Sequence, residues 1–179
     1  MTPDFETKPY HRIIYFIILA AALLWCAGII AAPLWENETG IRGAVSNFLF
    51  TFFSKSCHQL DDRSLHMFGN KLGVCARCTT IYFGFLLTTV LYPFIKRLGN
   101  LYLPPIWMLL SAAALIALDA GLDTFDILKN TYASREITGA ITGLLLPFYI
   151  IPGTLRLFSE FFAPSKIIPQ DKKETHASE

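Results

Sequence analysis

The sequence predicts an all-α fold: a polytopic membrane helix bundle of four transmembrane helices plus a short interfacial helix. Three observations carry this. Of 179 residues 53% are hydrophobic, with mean hydropathy +0.44. Only 16% are charged, against about 25% in soluble domains. Four uncharged apolar runs approach the length needed to cross roughly 30 Å of hydrocarbon at about 1.5 Å per residue. The net charge of +1 gives no reason to expect nucleic acid as a partner. The expected partner is the lipid bilayer.

The first run, Ile13 to Leu34, is charge-free and predicts a span over 13–34. It is longer than the apolar region of a cleaved signal peptide. Trp25 is too bulky beside Cys26 for a lipoprotein anchor, so Cys26 reads as a small packing residue inside the helix. Next, Phe48, Leu49, Phe52 and Phe53 fall at helical spacing in a run too short to cross. They predict an interfacial helix over 43–55 that delivers the chain to the membrane surface. A polar Cys/His loop is expected over 56–78.

The second span is expected over 78–95. The third, 105–122, opens at Pro104-Pro105, where proline's missing N–H costs nothing, and includes Asp119 to reach spanning length. The fourth, 137–155, is interrupted by Pro147 and Pro152, and its Gly139-x-x-x-Gly143 spacing suits close approach of a neighbouring helix. Residues 1–163 thus read as a single integral-membrane domain, followed by a flexible tail over 164–179 rich in Pro, Lys, Glu and Ser.

Four spans put both ends of this stretch on one side. Lys8, Arg12, Lys96, Arg97, Arg156, Lys166, Lys172 and Lys173 share that side, with the compact Lys96-Arg97 turn as an ordinary topogenic charge. The other side carries nearly as many cations, several of which look committed to a site. The expectation is an integral protein of the cell (inner) membrane with cytoplasmic termini, placing the cysteines where disulfides can persist.

Polar residues converge on the cysteine-bearing side. Cys57-His58-Gln59 is followed by Cys75-Ala76-Arg77-Cys78. Arg77 begins the second span, Asp119 and Asp123 end the third, and Arg135 begins the fourth. Asp119 and Asp123 are four apart and share a helix face. A charge at membrane depth is costly unless it is paired or faces a cavity, so Asp119 is a candidate functional residue; pairing with Arg77 or Arg135 merely to pin the bundle is the plain alternative.

Here the chain resembles a known family. The stretch Cys57-His58-Gln59, Arg63-Ser64, Gly69, Cys75-Ala76-Arg77-Cys78-Thr79, Ile81-Tyr82 and Gly84 is similar to the signature of an uncharacterised family of small prokaryotic membrane proteins, a domain of unknown function. Asp119 and Arg135-Glu136-Ile137-Thr138-Gly139 resemble its later elements. Thr80 stands where glycine is usual, and Asp123 near a usual glutamine. The resemblance implies a four-helix membrane protein and brings no activity with it.

Chemistry therefore rests on the residues, and three readings stay open. Cys75 and Cys78, three apart, can close on one tetrahedral ion such as zinc, with Cys57 and either His58 or His66 completing the shell. Alternatively, a Cys-x-x-Cys beside Arg77 at a helix N-terminus favours thiolate and suits a membrane thiol-disulfide oxidoreductase passing electrons to quinone, although the second redox pair such enzymes need is missing. Third, Arg63, Arg77 and Arg135 around Asp119 and Asp123 suit a transporter, or a binder of an anionic or lipid-headgroup ligand. Cys57-x5-Arg63-Ser64 has the spacing of cysteine phosphatases. Its insert has no glycine, and its two carboxylates would repel phosphate.

Overall fold

The computed structural model describes residues 8–162 apart from position 68; the expected tail at 164–179 lies outside the described residues. The chain is a membrane helix bundle. α1 (Pro9–Leu34) is followed by α2 (Ile41–Ser54) and a single 3₁₀ turn at Asp61–Arg63. A β-hairpin comes next, β1 (Ser64–Met67) and β2 (Asn70–Cys75), then α3 (Ala76–Ile95), α4 (Ile106–Thr124), α5 (Tyr132–Leu145) and α6 (Pro147–Phe162). Pro9–Leu34, Ala76–Ile95, Ile106–Thr124 and Tyr132–Phe161 are each long and apolar enough to cross a bilayer. Their outer faces carry large exposed apolar side chains such as Phe16, Leu24, Phe94, Leu110 and Leu118, as contact with lipid requires.

Where a loop is expected over 56–78, the chain instead builds the two-stranded antiparallel hairpin. Ser64 lies opposite Cys75, His66 opposite Lys71 and Met67 opposite Asn70, with an irregularity between Ser64 and His66. Leu65 and Met67 pack toward the core while His66 is exposed, the period-two pattern of a half-buried strand. Gly69 turns the chain at φ 84°, a conformation glycine adopts without a Cβ clash.

The hairpin and α2 both dock on the C-terminal end of α1, whose last carbonyls have no partner within the helix. The Ser46 hydroxyl donates to Ala32 O at 2.7 Å, and the Asn70 side-chain amide donates to Pro33 O at 2.9 Å. Gly73 brings β2 against α1 and α2: a Cβ there would sit 3.1 Å from the Phe53 ring and 3.4 Å from the Ala32 side chain. Ile29, Phe53, Cys57, Leu72 and Val74 form the resulting buried cluster. Trp25 joins α1 to its neighbours through ring contacts with Phe53 and Tyr82 at 5.4 and 5.5 Å. A second cluster, Ile14, Tyr15, Tyr92, Ile151 and Leu155, holds α1, α3 and α6 together at the opposite end.

α3 and α5 are the closest pair of helices. A Cβ on Gly139 would strike the Thr80 hydroxyl and Arg77 O, and one on Gly143 would strike Ile81 O, so the glycine spacing does serve close helix approach. The fourth span breaks into α5 and α6 at Pro147, whose ring nitrogen cannot donate to the preceding turn. α4 is the outlier: Ala112 is its one buried residue among those described.

Candidate metal centre

The hairpin leads without a break into the helix that carries the cysteines. Cys75 ends β2 and is also the N-cap of α3, in extended conformation (φ −66°, ψ 163°). Cys78 is three residues further, one turn into the helix, on the same side as the cap. Cys57 arrives from the other direction, one turn beyond α2, with its N–H donating to Phe53 O at 2.9 Å. The three sulfurs all lie within 4.8 Å of one another. Four ligands at about 2.3 Å around a tetrahedral zinc place sulfurs roughly 3.8 Å apart, a spacing that small rotamer changes reach from here. All four cysteines are free thiols.

Gln59, to which the sequence reading assigned no role, fixes the Cys57 loop. It has a positive φ of 52°. Its carboxamide donates to Phe50 O at 2.9 Å and to Gly73 O at 2.7 Å, tying the loop to α2 and β2 at once. The backbone N–H of Cys75 donates to the Cys57 sulfur at 3.2 Å. Hydrogen bonds from the thiols of Cys75 and Cys78, with this N–H, hold the Cys57 thiol well below the ordinary range against the opposing effect of burial.

Neither histidine joins the sulfurs. His66 is exposed and pairs with Asp61 at 3.2 Å. His58 is exposed beside the site and is not in the group of atoms able to share an ion. Cys26 is remote, its thiol directed at Tyr82 O at 3.5 Å.

The expected charged residues do gather here, with partners divided between two aspartates. Arg77 on α3 pairs with Asp119 on α4. Arg135 on α5 and Arg63 from the 3₁₀ turn both pair with Asp123, at 3.1 and 3.3 Å. Asn130, in the α4–α5 connection, bridges the two: its side chain donates to Asp119 and its backbone N–H to Asp123, both at 3.1 Å. Nothing in the composition of that short connection distinguishes Asn130 from an ordinary turn residue. Beside the sulfurs is a cavity of about 310 Å³ lined by Cys57, Cys75, Cys78, Arg63, Arg77 and Arg135, with Asp123 at its wall. Three thiols and three guanidinium groups therefore share one pocket at one membrane face.

Comparison with known proteins agrees with this architecture and adds no activity. Residues 57–149 match the family described as "Predicted membrane protein (DUF2085)", a segment that starts at the first cysteine of the site and includes every charged residue around it. An uncharacterized protein of Methanocaldococcus jannaschii is 36% identical over 145 residues, covering 77% of this chain and 90% of the relative. No solved structure matches. The chain belongs to this family of multi-pass membrane proteins of unknown function.

Proposed function

We propose that the protein binds a metal ion such as zinc at one membrane face through Cys57, Cys75 and Cys78. The observation that carries this is the convergence of three sulfurs within 4.8 Å from two separate parts of the chain. Soft thiolate ligands suit zinc. Three protein ligands leave a fourth position, to which His58 is the nearest candidate in sequence and the cavity is the open approach. Elemental analysis of protein purified in mild detergent tests the reading. About one zinc per chain, lost on replacing Cys75 or Cys78 by Ser, supports it; protein that takes up no metal overturns it.

A second reading is thiol-disulfide exchange, favoured by the readily ionised Cys57 beside two further thiols. Closing a disulfide between two of them would release two protons and two electrons, which a membrane quinone could take up. The reading lacks a second redox pair, because Cys26 stands apart on α1. Metal-free protein whose thiols oxidise faster with added quinone would favour it.

We infer a cell-membrane location, and the cation distribution favours residues 8 and 162 on the cytoplasmic side. Lys8, Arg12, Lys96 and Arg97 lie at that face, whereas Arg63, Arg77 and Arg135 opposite are engaged by aspartates and are weaker topogenic signals. The cysteine site would then face away from the cytoplasm.

A further inference from the structure

The pocket beside the cysteines holds more guanidinium donors than the chain supplies acceptors for. Arg63, Arg77 and Arg135 each commit Nη2 to an aspartate. Among the described residues, the Nε–H of all three is buried without a hydrogen-bond partner. For Arg63 the nearest carboxylate, Asp62, lies 3.7 Å away, beyond hydrogen-bond reach. Arg135 is 8% exposed, whereas the Arg63 side chain at the outer wall is 43% exposed; a buried charged donor left unpaired is costly.

The charges define what would complete the site. Within the cavity, three arginines against Asp119 and Asp123 leave one positive charge, and three thiolates on a divalent ion leave one negative charge; Asp62, which also pairs with Arg63, is 74% exposed, so water screens its charge. The N-terminal ends of α3 and α5 add positive potential at this face, and the C-terminal end of α4, whose last turn lines the cavity, takes back part of it. An anion of low charge fits. Guanidinium groups that reach one cavity from a turn, α3 and α5 call for acceptor oxygens pointing in several directions, which a tetrahedral oxyanion offers and a planar carboxylate does not. The cavity, about 310 Å³, is roughly ten times a water's share of liquid volume, with space for a substituent on the oxyanion.

We infer that this pocket binds a singly charged phosphate group, held by Arg63, Arg77 and Arg135, with one oxygen toward the fourth position of the metal. The inference rests on the metal reading above. The phosphate belongs either to a free phosphate compound or to a lipid headgroup, and the same chemistry serves both.

Cobalt-loaded protein separates these cases, because the ligand-field spectrum reports the fourth ligand independently of any activity. Inorganic phosphate is titrated in detergent, and spectra are compared in nanodiscs of phosphatidylglycerol and of phosphatidylcholine. A saturable spectral change with inorganic phosphate assigns a free phosphate compound; a change in nanodiscs of either lipid, relative to detergent and with none from inorganic phosphate, assigns a headgroup. Arg63→Gln should weaken either response about tenfold, one charge-assisted contact, and Arg63→Lys should restore part of it. Arg77→Lys provides a second reading that keeps the charge opposite Asp119. Cobalt content is measured in every sample. Loaded protein that responds to neither probe, or responds equally well as Arg63→Gln, overturns this inference alone. Protein that takes up no metal overturns both.

Discussion

The backbone N–H of Cys75 points at the sulfur of Cys57, 3.2 Å away. This contact spans 18 residues and joins the end of the α2 loop to the start of α3, so the thiol cluster depends on the hairpin between them. Replacing Cys57, Cys75 or Cys78 singly by Ser should lower bound zinc from about one per chain to near none. Cys26→Ser should leave it unchanged. Elemental analysis of the four variants decides the matter; zinc retained by all three site variants would disprove the shared site.

Gln59 holds the Cys57 loop through two carbonyls, Phe50 O and Gly73 O. Gln59→Ala removes no ligand and should still weaken zinc about tenfold, as loss of outer-shell support does elsewhere. Competition with a chelator measures this. An unchanged affinity would show that the loop is positioned by other contacts.

The low-lying Cys57 thiol makes metal-free protein sensitive to pH. It ionises at lower pH in the folded chain than in the unfolded one, so the unfolded chain binds more protons and stability rises with pH. The gain is complete above the ordinary thiol value of about 8.5 and is lost on acidification, at about 1.4 kcal/mol per pH unit below it. Unfolding followed between about pH 6 and 8 should show this slope, and Cys57→Ser should remove it. An identical slope in the variant would contradict the assignment.

Arg77 and Asp119 are both largely buried, with side chains 18% and 13% exposed. Asp119→Asn leaves a guanidinium without its counter-charge and should cost about 3 kcal/mol in detergent unfolding. Adding Arg77→Gln should recover much of the loss. A double variant as unstable as the sum of the two singles would mean that the pair does not act as a unit.

Gly143→Ala should destabilise the bundle by about 1–3 kcal/mol, because the added methyl meets Ile81 backbone. Gly153→Ala, where nothing lies within 4 Å, should be neutral or stabilising by up to about 1 kcal/mol. Comparing their unfolding midpoints tests how closely α3 and α5 approach.

Much of this was legible in the chain, and the remainder was hidden for physical reasons. Charge-free runs such as Ile13 to Leu34 leave few alternatives to membrane spans, and Phe48, Leu49, Phe52 and Phe53 marked α2. The hairpin had a signal, Leu65 and Met67 facing Leu72 and Val74 across Gly69, but each strand is too short for period two to stand out beside a cysteine motif. Helical spacing put Asp119 and Asp123 on one face without saying which arginine meets which acid; that depends on how α4 and α5 are rotated. The histidines illustrate the opposite case. Their proximity in sequence made them natural ligands, yet the turn at Asp61–Arg63 carries His66 toward Asp61 and His58 stays exposed.

α4 buries only Ala112, so its position depends heavily on the two aspartates at its far end. Their partners come from both directions along the chain: Arg63 and Arg77 are synthesised earlier, Asn130 and Arg135 later. During biogenesis, α4 therefore enters the bilayer with one arginine already made for each acid, Arg77 for Asp119 and Arg63 for Asp123, while the Asn130 bridge and the second cation on Asp123 exist only once α5 has emerged. These two segments are best inserted together, as a pair. A chain stopped in the α4–α5 connection has its two acid–arginine pairs but lacks the Asn130 bridge and the Arg135 contact that join α4 to α5.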